Sequence, residues 1–466
     1  MNRKADQLFD SDRKHLLHPF AELSRLPEEG PRFFSSGKGV WVYGVDGTRY
    51  LDGIGGLWCV NIGYGRREMA DAIAEQAAQL PYYNTFTDMS SEPAALLAGK
   101  VAKLAPGDLD RTFFTTGGST SVDTAVRLAH FHFQLQGKPS KKLVLARQNA
   151  YHGSTYLAAS ISGIRRNLAG FHHLADGDGA LVHHLSCPNL YRAPEGMSEK
   201  AYCAALIDEL EAKIKTLGAE NIACFIAEPI MGAAGVLIPP AEYHQQAWAV
   251  CRHNDILYIC DEVVTAFGRL GWMFASLDEF GIVPDMTVCA KGISSGYIPL
   301  GAVVFSSRLL ERAFNADADL DTFSHGFTYS GHPVACAAGL KNIEIMEREG
   351  LCEHVRTTGP HFAEALRSLA TLEIVGDVRG RGFMHAIEFT CRRETKESFD
   401  ASVGIGKRVA KAAFDRGLVA RNVEDMIILS PPLIMDADHI DLLAQTLHTA
   451  VEAVMDDLKR ERLWPT

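Results

Sequence analysis

Residues 286–292, which read Met286-Thr287-Val288-Cys289-Ala290-Lys291-Gly292, place a lysine directly after a short apolar run. Such a run predicts a buried strand of a parallel sheet, so that Lys291 emerges at the carboxyl end of that strand. Desolvation there lowers the pKa of an amine, and a deprotonated amine can attack an aldehyde to form a Schiff base. A single lysine in such a position more often packs its stem and keeps its charge in solvent, so its role depends on its neighbours.

A carboxylate follows the preceding apolar run in the same way. Residues 256–260 predict a buried strand, and Asp261 comes directly after it. A buried carboxylate needs a cation or hydrogen-bond donors, and the protonated ring nitrogen of a pyridine cofactor is one such partner. The alternative is that Asp261 caps a helix after the strand. Val263 would then pack either on the face of the ring or in the core.

Apolar runs alternate with helical patterns along the middle of the chain. Further strands are predicted at residues 111–114, 142–145 and 223–227, and Glu228 follows the last of these. This alternation favours an α/β fold with a mostly parallel sheet. Because ligand sites in such sheets gather at the carboxyl ends of the strands, we expect the polar groups that end these runs to lie together.

The two ends of the chain carry other patterns. A hairpin is predicted within residues 39–51, around the turn Val45-Asp46-Gly47. From about residue 335, two long helical stretches flank a short mixed region. In the last stretch apolar residues recur at helical spacing between residues 440 and 458, with Asp436 or Asp438 as the cap. We interpret this stripe as core.

Two short glycine-containing motifs lie between strands and helices. Gly117-Gly118-Ser119 is placed where backbone N–H groups and a helix dipole can bind an anion, although such turns are common. The dinucleotide pattern G-x-G-x-x-G and the P-loop pattern are both absent from the sequence, so a single phosphate is the better match. Tyr151-His152-Gly153 offers an aromatic ring that could stack on a heterocycle, although routine packing is the simpler role for one tyrosine.

Composition excludes several classes of function. A chain of 466 residues can form a large and a smaller domain, and its net charge of −11 argues against nucleic acid or an anionic membrane as partner. Met1 to His15 carries no apolar run, so no secretory signal is predicted, and no apolar stretch is long enough for a membrane span. Ten scattered cysteines indicate reduced thiols and a cytoplasmic protein. No spacing typical of a metal site occurs.

The ordered set of motifs resembles the class III aminotransferases, in the ω-aminotransferase branch that moves amino groups from amines, β-alanine or taurine to pyruvate. The resemblance runs from about residue 15 to 460. The matching motifs are Gly118-Ser119, Tyr151-His152-Gly153, Ala227-Glu228-Pro229, Asp261-Glu262-Val263, Ala290-Lys291-Gly292 and Thr328-Tyr329-Ser330-Gly331-His332-Pro333.

This resemblance implies a fold, a cofactor and a set of cofactor-binding residues. The fold is that of the fold-type I transferases that depend on pyridoxal 5'-phosphate (PLP): a large domain at residues 76–334 with a mostly parallel central sheet, and a smaller α/β domain at residues 335–466 that includes the N-terminal segment 1–75. Lys291 and Asp261 would be the catalytic residues. The residues implied to bind the cofactor are Gly118, Ser119, Tyr151, His152, Glu228, Asp261, Val263, Lys291, Phe327 and Thr328.

The resemblance also implies a shared site and a substrate pocket. Thr328, with the backbone of Phe327, would bind the cofactor phosphate of a neighbouring subunit, so a homodimer or a dimer of dimers is expected. Arg421 matches a mobile arginine that pairs with a substrate carboxylate, a task that suits the guanidinium fork. An arginine in a surface ion pair is the alternative. The residues implied to line the substrate pocket are Phe20, Trp58, Phe86, Tyr151 and Arg421.

The implied reaction is transamination in two halves, with pyridoxamine 5'-phosphate as the intermediate form of the cofactor. An ω-amino acid or amine is the donor and a keto acid, by resemblance pyruvate, is the acceptor. The nearer alternative is another PLP reaction on the same fold, an aminomutase or a decarboxylase. A serine hydrolase is the remote one, because residues 292–296 match G-x-S-x-G. The chain departs from the family at Thr120, where many members have glutamate.

Overall fold

The computed structural model describes residues 3–24, 30–171, 173–177, 179–314 and 320–464. The first part of the chain forms a helix and an antiparallel meander. The predicted hairpin is present, because Val42 pairs with Tyr50 across the turn. The elements of this part are α1 (Arg3–His15), β1 (Phe34–Lys38), β2 (Trp41–Gly44), β3 (Arg49–Asp52), α2 (Arg67–Gln79) and α3 (Glu92–Leu104).

A seven-stranded sheet forms the centre of the molecule. Its strands are β4 (Leu109–Thr115), β5 (Leu143–Arg147), β6 (Val182–Leu185), β7 (Ile222–Ala227), β8 (Leu257–Asp261), β9 (Met286–Cys289) and β10 (Gly301–Ser306). The order is β4-β10-β9-β8-β7-β5-β6, and only β10 runs antiparallel to its neighbours β9 and β4. The mostly parallel sheet is therefore confirmed.

Helices connect these strands. They are α4 (Gly118–Leu135), α5 (Tyr156–Ile161), α6 (Glu199–Leu217) and α7 (Tyr243–His253). Every residue of β7 and β8 is buried, which is the pattern of a sheet covered on both faces. Single α-helical turns occur at Gly55–Trp58 and Ala275–Asp278, and 3₁₀ turns at Arg165–Leu168, Leu190–Arg192, Ala219–Asn221, Lys291–Ile293, Ser307–Phe314 and Ser368–Thr371.

The predicted strands are all present, with ends that differ by one or two residues. The difference that matters most is in β5: we predicted that this strand ends at Leu145, but it continues to Arg147. Arg147 is fully buried, whereas a charged residue at the end of an apolar run indicates exposure. The strands β6 and β10 were not predicted.

The last part of the chain packs helices around a second antiparallel sheet, in the order β11-β12-β15-β14. Its first helical stretch consists of two helices, because Gly350 takes a left-handed conformation (φ 62°) between them. The elements are α8 (Pro333–Arg348), α9 (Leu351–Arg367), β11 (Val375–Arg381), β12 (Met384–Phe389), α10 (Ile405–Phe414), β13 (Leu418–Val419), β14 (Arg421–Val423), β15 (Met426–Leu429) and α11 (Ala437–Glu461).

The strand β13 does not join its neighbours in sequence. It pairs in parallel with β3, with Leu418 opposite Leu51, and so completes the N-terminal sheet. In α11 the apolar stripe is buried from Ile440 to Leu458, as predicted. Asp436 is its cap, since Oδ1 accepts a hydrogen bond of 3.0 Å from the N–H of His439.

A buried guanidinium joins three distant parts of the chain. Arg269 lies between β8 and β9 and is fully buried. Its Nη2 donates to Oδ1 of Asn61 (2.7 Å), and its Nη1 donates to the carbonyls of Phe383 (3.3 Å) and Pro431 (2.5 Å). Hydrogen bonds from a buried charged group are stronger than those between neutral groups. Arg269 therefore fixes the N-terminal and C-terminal segments against the central sheet.

We expect Arg269→Met to lower the free energy of unfolding by roughly 3 kcal/mol or more, because three buried acceptors lose their donor. Urea unfolding followed by tryptophan fluorescence measures the change. Arg367→Met is the control, since Arg367 is exposed and, among the described residues, forms an ion pair with exposed Glu364; its effect should stay within about 0.5 kcal/mol. Equal unfolding midpoints for wild type and Arg269→Met would refute this role.

Candidate active site

Three neighbouring parallel strands deliver polar groups to one edge of the central sheet. Glu228 follows β7, Asp261 ends β8, and Lys291 lies two residues after β9. Because β7, β8 and β9 pair in parallel and in this order, these residues emerge at the same edge. Lys291 interacts electrostatically with both carboxylates, and burial lowers the pKa of its amine. The juxtaposition expected from the strand ends is therefore present.

Lys291 has an unusual backbone conformation. It is half-buried, with φ at 49°, and it opens the 3₁₀ turn Lys291–Ile293. A non-glycine residue in this left-handed region is strained and persists only where the surroundings enforce it. Among the described residues, Nζ has no hydrogen-bond or ion-pair partner, so a half-buried amine with a lowered pKa is available to react.

Asp261 is held by His152, which the sequence analysis identified only as part of the motif Tyr151-His152-Gly153. Its Oδ2 lies 2.6 Å from Nδ1 of His152, and its Oδ1 accepts from the N–H of Val263 at 3.1 Å. Both Asp261 and His152 are buried. The backbone N–H of His152 donates to Oγ of Ser162 (2.8 Å), which fixes the backbone that carries the imidazole. Asp261 is thus an oriented acceptor rather than a helix cap.

Glu228 supports the loop that carries the aromatic residue. Its carboxylate accepts from the N–H of Tyr151 (3.0 Å) and from the N–H of Gly232 (2.9 Å). Burial, and to a smaller extent the charge of nearby Asp261, raises the pKa of Glu228. The two backbone bonds favour the charged form and so oppose that shift. Glu228 therefore fixes the backbone at Tyr151 relative to the backbone at Gly232.

The glycine turn lies at the N-terminus of the 18-residue helix α4, which begins at Gly118. Oγ of Ser119 accepts from the N–H of Ser154 at 3.0 Å. A Cβ at Gly153 would lie 2.5 Å from Oγ of Ser119, so only glycine permits this close approach. The free N–H groups and dipole of a long helix suit a phosphate. The hydroxyl of Thr120 donates to the carbonyl of Gly117 at 2.8 Å.

Val263 lies against this turn, whereas Thr328 belongs to a separate, exposed segment. Val263 is half-buried, and its methyl groups lie 3.1 Å from where a Cβ on Gly118 would be. Thr328 is exposed, and its carbonyl accepts from the hydroxyl of Tyr82 at 2.6 Å. The N–H of Phe327 donates to Oγ of Ser330 (3.2 Å), which gives the segment a defined shape.

Among the predicted pocket residues, Arg421 and Tyr151 share electrostatic interactions at the site. Arg421 begins β14, is half-buried, and interacts electrostatically with Tyr151 and with Lys291. Burial lowers the pKa of its guanidinium. Among the described residues its side chain has no hydrogen-bond partner. Tyr151 is half-buried, with its hydroxyl 3.1 Å from Oγ of Ser154. The structure thus brings Tyr151 and Arg421 to the lysine.

The other aromatic residues of the predicted pocket lie in varied surroundings. Trp58 is buried, has φ at 64°, and its ring lies 3.7 Å from where a Cβ on Gly232 would be. Phe86 is 47% exposed and borders Gly326, whereas Phe20 is 73% exposed. Within one chain, only Trp58 of these three is enclosed.

Two residues beside the site were not predicted. Arg147 ends β5, is fully buried, and donates to the backbone carbonyl of Glu228. The strand-end reasoning that identified Asp261 would have included it, had β5 been extended by two residues. Cys59 follows Trp58 and lies near Lys291, and burial raises the pKa of its thiol. It carries no sequence signal, because a single cysteine is usually core.

The serine of the G-x-S-x-G match does not have the arrangement of a nucleophile. Ser294 is 2% exposed, and its hydroxyl donates to the carbonyl of Ile298 at 2.6 Å. The 3₁₀ turn before it ends at Ile293, and no helix follows within the described segment 294–300. A nucleophile elbow requires an exposed serine on a strand-to-helix turn. The hydrolase alternative is therefore excluded.

These residues fit PLP. A reactive amine, an oriented carboxylate and an open helix N-terminus match the aldehyde, ring nitrogen and phosphate of this cofactor. Nε2 of His152 is buried and has no hydrogen-bond partner among the described residues, so a polar atom at the site still lacks its partner. In the described part of the chain no group of three or more histidine, cysteine or acidic residues could hold a metal ion, and no helix has the length and apolarity to cross a membrane.

Comparison with known proteins gives consistent matches over nearly the whole chain. The family profile "Aminotransferase class-III" matches residues 26–451. The putrescine–pyruvate aminotransferase of Pseudomonas aeruginosa is 38% identical over 443 residues, which cover 95% of either chain. A thermostable (S)-enantioselective omega-transaminase from Thermomicrobium roseum has a TM-score of 0.92 at 40% identity, covering 97% of this chain and 99% of its own.

The omega-transaminase from Pseudomonas jessenii, solved in complex with PMP, also has a TM-score of 0.92 at 36% identity, over 96% of this chain and 98% of its own. PMP is pyridoxamine phosphate, the aminated form of PLP. Family match, sequence identity, fold and site chemistry agree. The chain belongs to the class III aminotransferases, and it is an enzyme of fold-type I that uses PLP to carry out transamination.

Proposed function

We propose that this aminotransferase moves an amino group from an ω-amino acid or a primary amine to pyruvate, with Lys291 and Asp261 as its catalytic residues. The observation that supports the two residues most directly is their delivery by adjacent parallel strands to one sheet edge, with Asp261 held 2.6 Å from His152. Pyruvate is supported by the putrescine–pyruvate aminotransferase of Pseudomonas aeruginosa, a relative over most of the chain.

PLP supplies, when bound, an aldehyde for the substrate amine and an electron-withdrawing ring that lowers the barrier to proton loss at the neighbouring carbon. Nζ of Lys291 would hold the cofactor through its aldehyde carbon at rest. Once displaced by the substrate amine, Nζ would move a proton as a general base and acid. A base works best with a pKa near the working pH, and burial shifts the pKa of Lys291 in that direction.

The other residues would bind and orient. The Asp261 carboxylate would accept a hydrogen bond from the protonated ring nitrogen, while His152 and the N–H of Val263 fix its direction. The backbone at Gly118 and Ser119 would donate to the phosphate. Tyr151 would stack on the ring, positioned by the bond from its N–H to Glu228. The side chain of Val263 would contact the opposite face.

Arg421 would bind the carboxylate of the acceptor. Its guanidinium has no hydrogen-bond partner among the described residues, and burial disfavours its charged form, so a carboxylate ligand satisfies both needs. Trp58, Phe86 and Phe20 would form the apolar wall that receives the rest of the donor. The exposure of Phe20 and Phe86 in a single chain fits a wall completed by a second subunit.

We further propose that the active unit is a homodimer, alone or as a dimer of dimers, in which Thr328 and Phe327 of one subunit reach the cofactor phosphate of the other. Support comes from the exposure of Thr328 in a segment of defined shape.

The proposed domain division keeps its bounds, with residues 76–334 as the large domain. Residues 1–75 and 335–466 share a sheet through β3 and β13, which supports grouping them. The ten free cysteines support a cytoplasmic setting.

We expect Lys291→Ala to lose the covalent attachment of PLP. Borohydride reduction of the wild-type protein, followed by digestion and mass spectrometry, should locate the cofactor on Lys291 and on no other lysine. Adding an amine without acceptor should bleach the absorption of the wild-type protein, and pyruvate should restore it. A donor that is consumed without any acceptor would instead indicate an aminomutase or a decarboxylase. Cofactor attached to another lysine would refute the assignment.

We expect Arg421→Ala to lower kcat/KM for pyruvate by about 10-fold to 100-fold, the range for a lost hydrogen bond to a charged group. An aldehyde acceptor without a carboxylate should change by no more than about threefold, because the lost partner is absent. Steady-state kinetics with both acceptors measures the difference. Arg416→Ala, which removes an exposed guanidinium bonded to the carbonyl of Ala412, is the control. An equal loss with both acceptors would contradict carboxylate binding.

Mixing two inactive variants tests the shared site. Lys291→Ala and Thr328→Asp each damage both sites of their own homodimer, but a mixed dimer contains one site with both residues intact. We expect activity to recover after the two variants are dissociated and reassociated together. Lys291→Ala mixed with Asp261→Asn is the control, since these residues lie in the same chain and no mixed site is intact. Absence of recovery in the first mixture would show that each site is complete within one subunit.

A further inference from the structure

The turn that carries Lys291 is hydrogen-bonded to a buried carboxamide that lies outside the proposed site. Asn342 lies in the middle of α8 and is fully buried. Its Nδ2 donates to the carbonyls of Gly292 (2.8 Å) and Ile293 (3.0 Å), the two residues that follow Lys291. Its Oδ1 accepts from Oγ of Ser295 at 2.5 Å. Both polar atoms of this side chain therefore bind the turn, through two backbone carbonyls and one serine hydroxyl.

This turn is strained and therefore needs an external restraint. Lys291 and Ser295 both take left-handed conformations, with φ at 49° and 48°, at the two ends of the turn. Such conformations persist in non-glycine residues only where the surroundings over-determine them. Asn342 is the one donor among the described residues to the carbonyl of Ile293, whereas the carbonyl of Gly292 also accepts from the N–H of Ser295 at 3.3 Å. Without Asn342 the buried carbonyl of Ile293 would lack a partner, and the turn would be held only by bonds within itself.

The turn is also packed tightly on its other side. A Cβ on Gly292 would lie 2.5 Å from Nδ2 of Asn61, which itself donates to the carbonyl of Phe267 at 2.6 Å. The N–H of Ile62 donates to Oγ of Ser295 at 3.3 Å. Gly292 is therefore confined between Asn61 and Asn342. A small displacement of Asn342 cannot be absorbed locally and moves the backbone that sets the direction of Lys291.

We propose that Asn342 is a positioning residue for Lys291: its carboxamide holds the strained turn so that the lysine amine points at the reacting carbon. This proposal rests on the role proposed for Lys291. Only a carboxamide can donate twice to carbonyls and accept from a hydroxyl at this place. Asn342 contacts neither substrate nor cofactor through these bonds, so it acts through the backbone.

The test compares Asn342→Asp and Asn342→Ala in the PLP-loaded protein. We expect both to lower kcat by about 10-fold to 100-fold at neutral pH, the size of effect that misplacement of a reacting group by about 1 Å produces. KM should change by no more than about threefold, because the substrate pocket is untouched. The pH dependence of the absorption of bound PLP, a readout apart from turnover, should shift in both variants.

Lowering the pH separates positioning from a loss of packing. A buried carboxyl has a raised pKa, and once protonated it can donate to a turn carbonyl while accepting from Ser295. In Asn342→Asp, kcat and the absorption should therefore move back towards wild type as pH falls. In Asn342→Ala no such recovery is possible. Groups that titrate elsewhere in the protein are the same in both variants, so the difference between the two profiles isolates position 342.

Two further variants show whether a loss of kcat comes from lost positioning or from a folding defect. Ser295→Ala removes one bond of the carboxamide and the long bond from the N–H of Ile62, but it leaves the two carbonyl bonds of Asn342. We therefore expect a smaller loss of kcat in a folded protein. Ile343→Val trims a fully buried neighbour in α8 that has no polar group, and kcat should stay within about twofold. Thermal unfolding is measured for each variant.

Two results would overturn the proposal. One is wild-type kcat and absorption in Asn342→Ala and Asn342→Asp. The other is a loss of kcat that follows thermal stability across all four variants without recovery of the aspartate variant at low pH. Attachment of PLP to Lys291 in the wild-type protein is established separately by borohydride reduction, so failure of the lysine assignment is distinguishable from failure of this inference.

Discussion

The parallel pairing of β7, β8 and β9 is the constraint on which the rest of the site depends. It brings two carboxylates and an amine to one edge of the sheet, where each is desolvated and each influences the others. Burial of charged groups without partners is unfavourable. Asp261 and Glu228 instead receive donors from His152 and from backbone N–H groups, while Lys291 receives none from the described residues. The fold thereby keeps the carboxylates as acceptors and leaves the amine reactive.

The features of the sequence that were predictable are those carried by local patterns. An apolar run followed by a polar residue predicts both a strand and the edge where the residue emerges, which is why the positions of Lys291, Asp261 and Glu228 relative to the sheet were predicted correctly. The hairpin near residue 46 and the buried stripe of α11 were predicted on the same basis. Such patterns are local, so they can be recognised without knowledge of the tertiary contacts.

The features that were not predictable depend on residues far apart in sequence. A buried arginine such as Arg147 contradicts the usual exposure of its residue type, and its acceptor at Glu228 lies 81 residues later. Asn342 is a polar residue inside a helix, with partners 49 and 50 residues earlier. No local pattern marks either residue, because their roles arise only when α8 and β7 are packed against the turn and against β5.

The parallel contact between β3 and β13 has a consequence for the order in which the protein can be made. During synthesis β3 leaves the ribosome early, but its partner, which includes Leu418, follows only after the whole central sheet has been translated. Until then β3 lacks its partner strand, while the whole central sheet has already been translated. Contacts of such long range form slowly and leave intermediates that aggregate. The nascent chain therefore stays prone to aggregation until β13, which lies in about the last tenth of the sequence, has emerged.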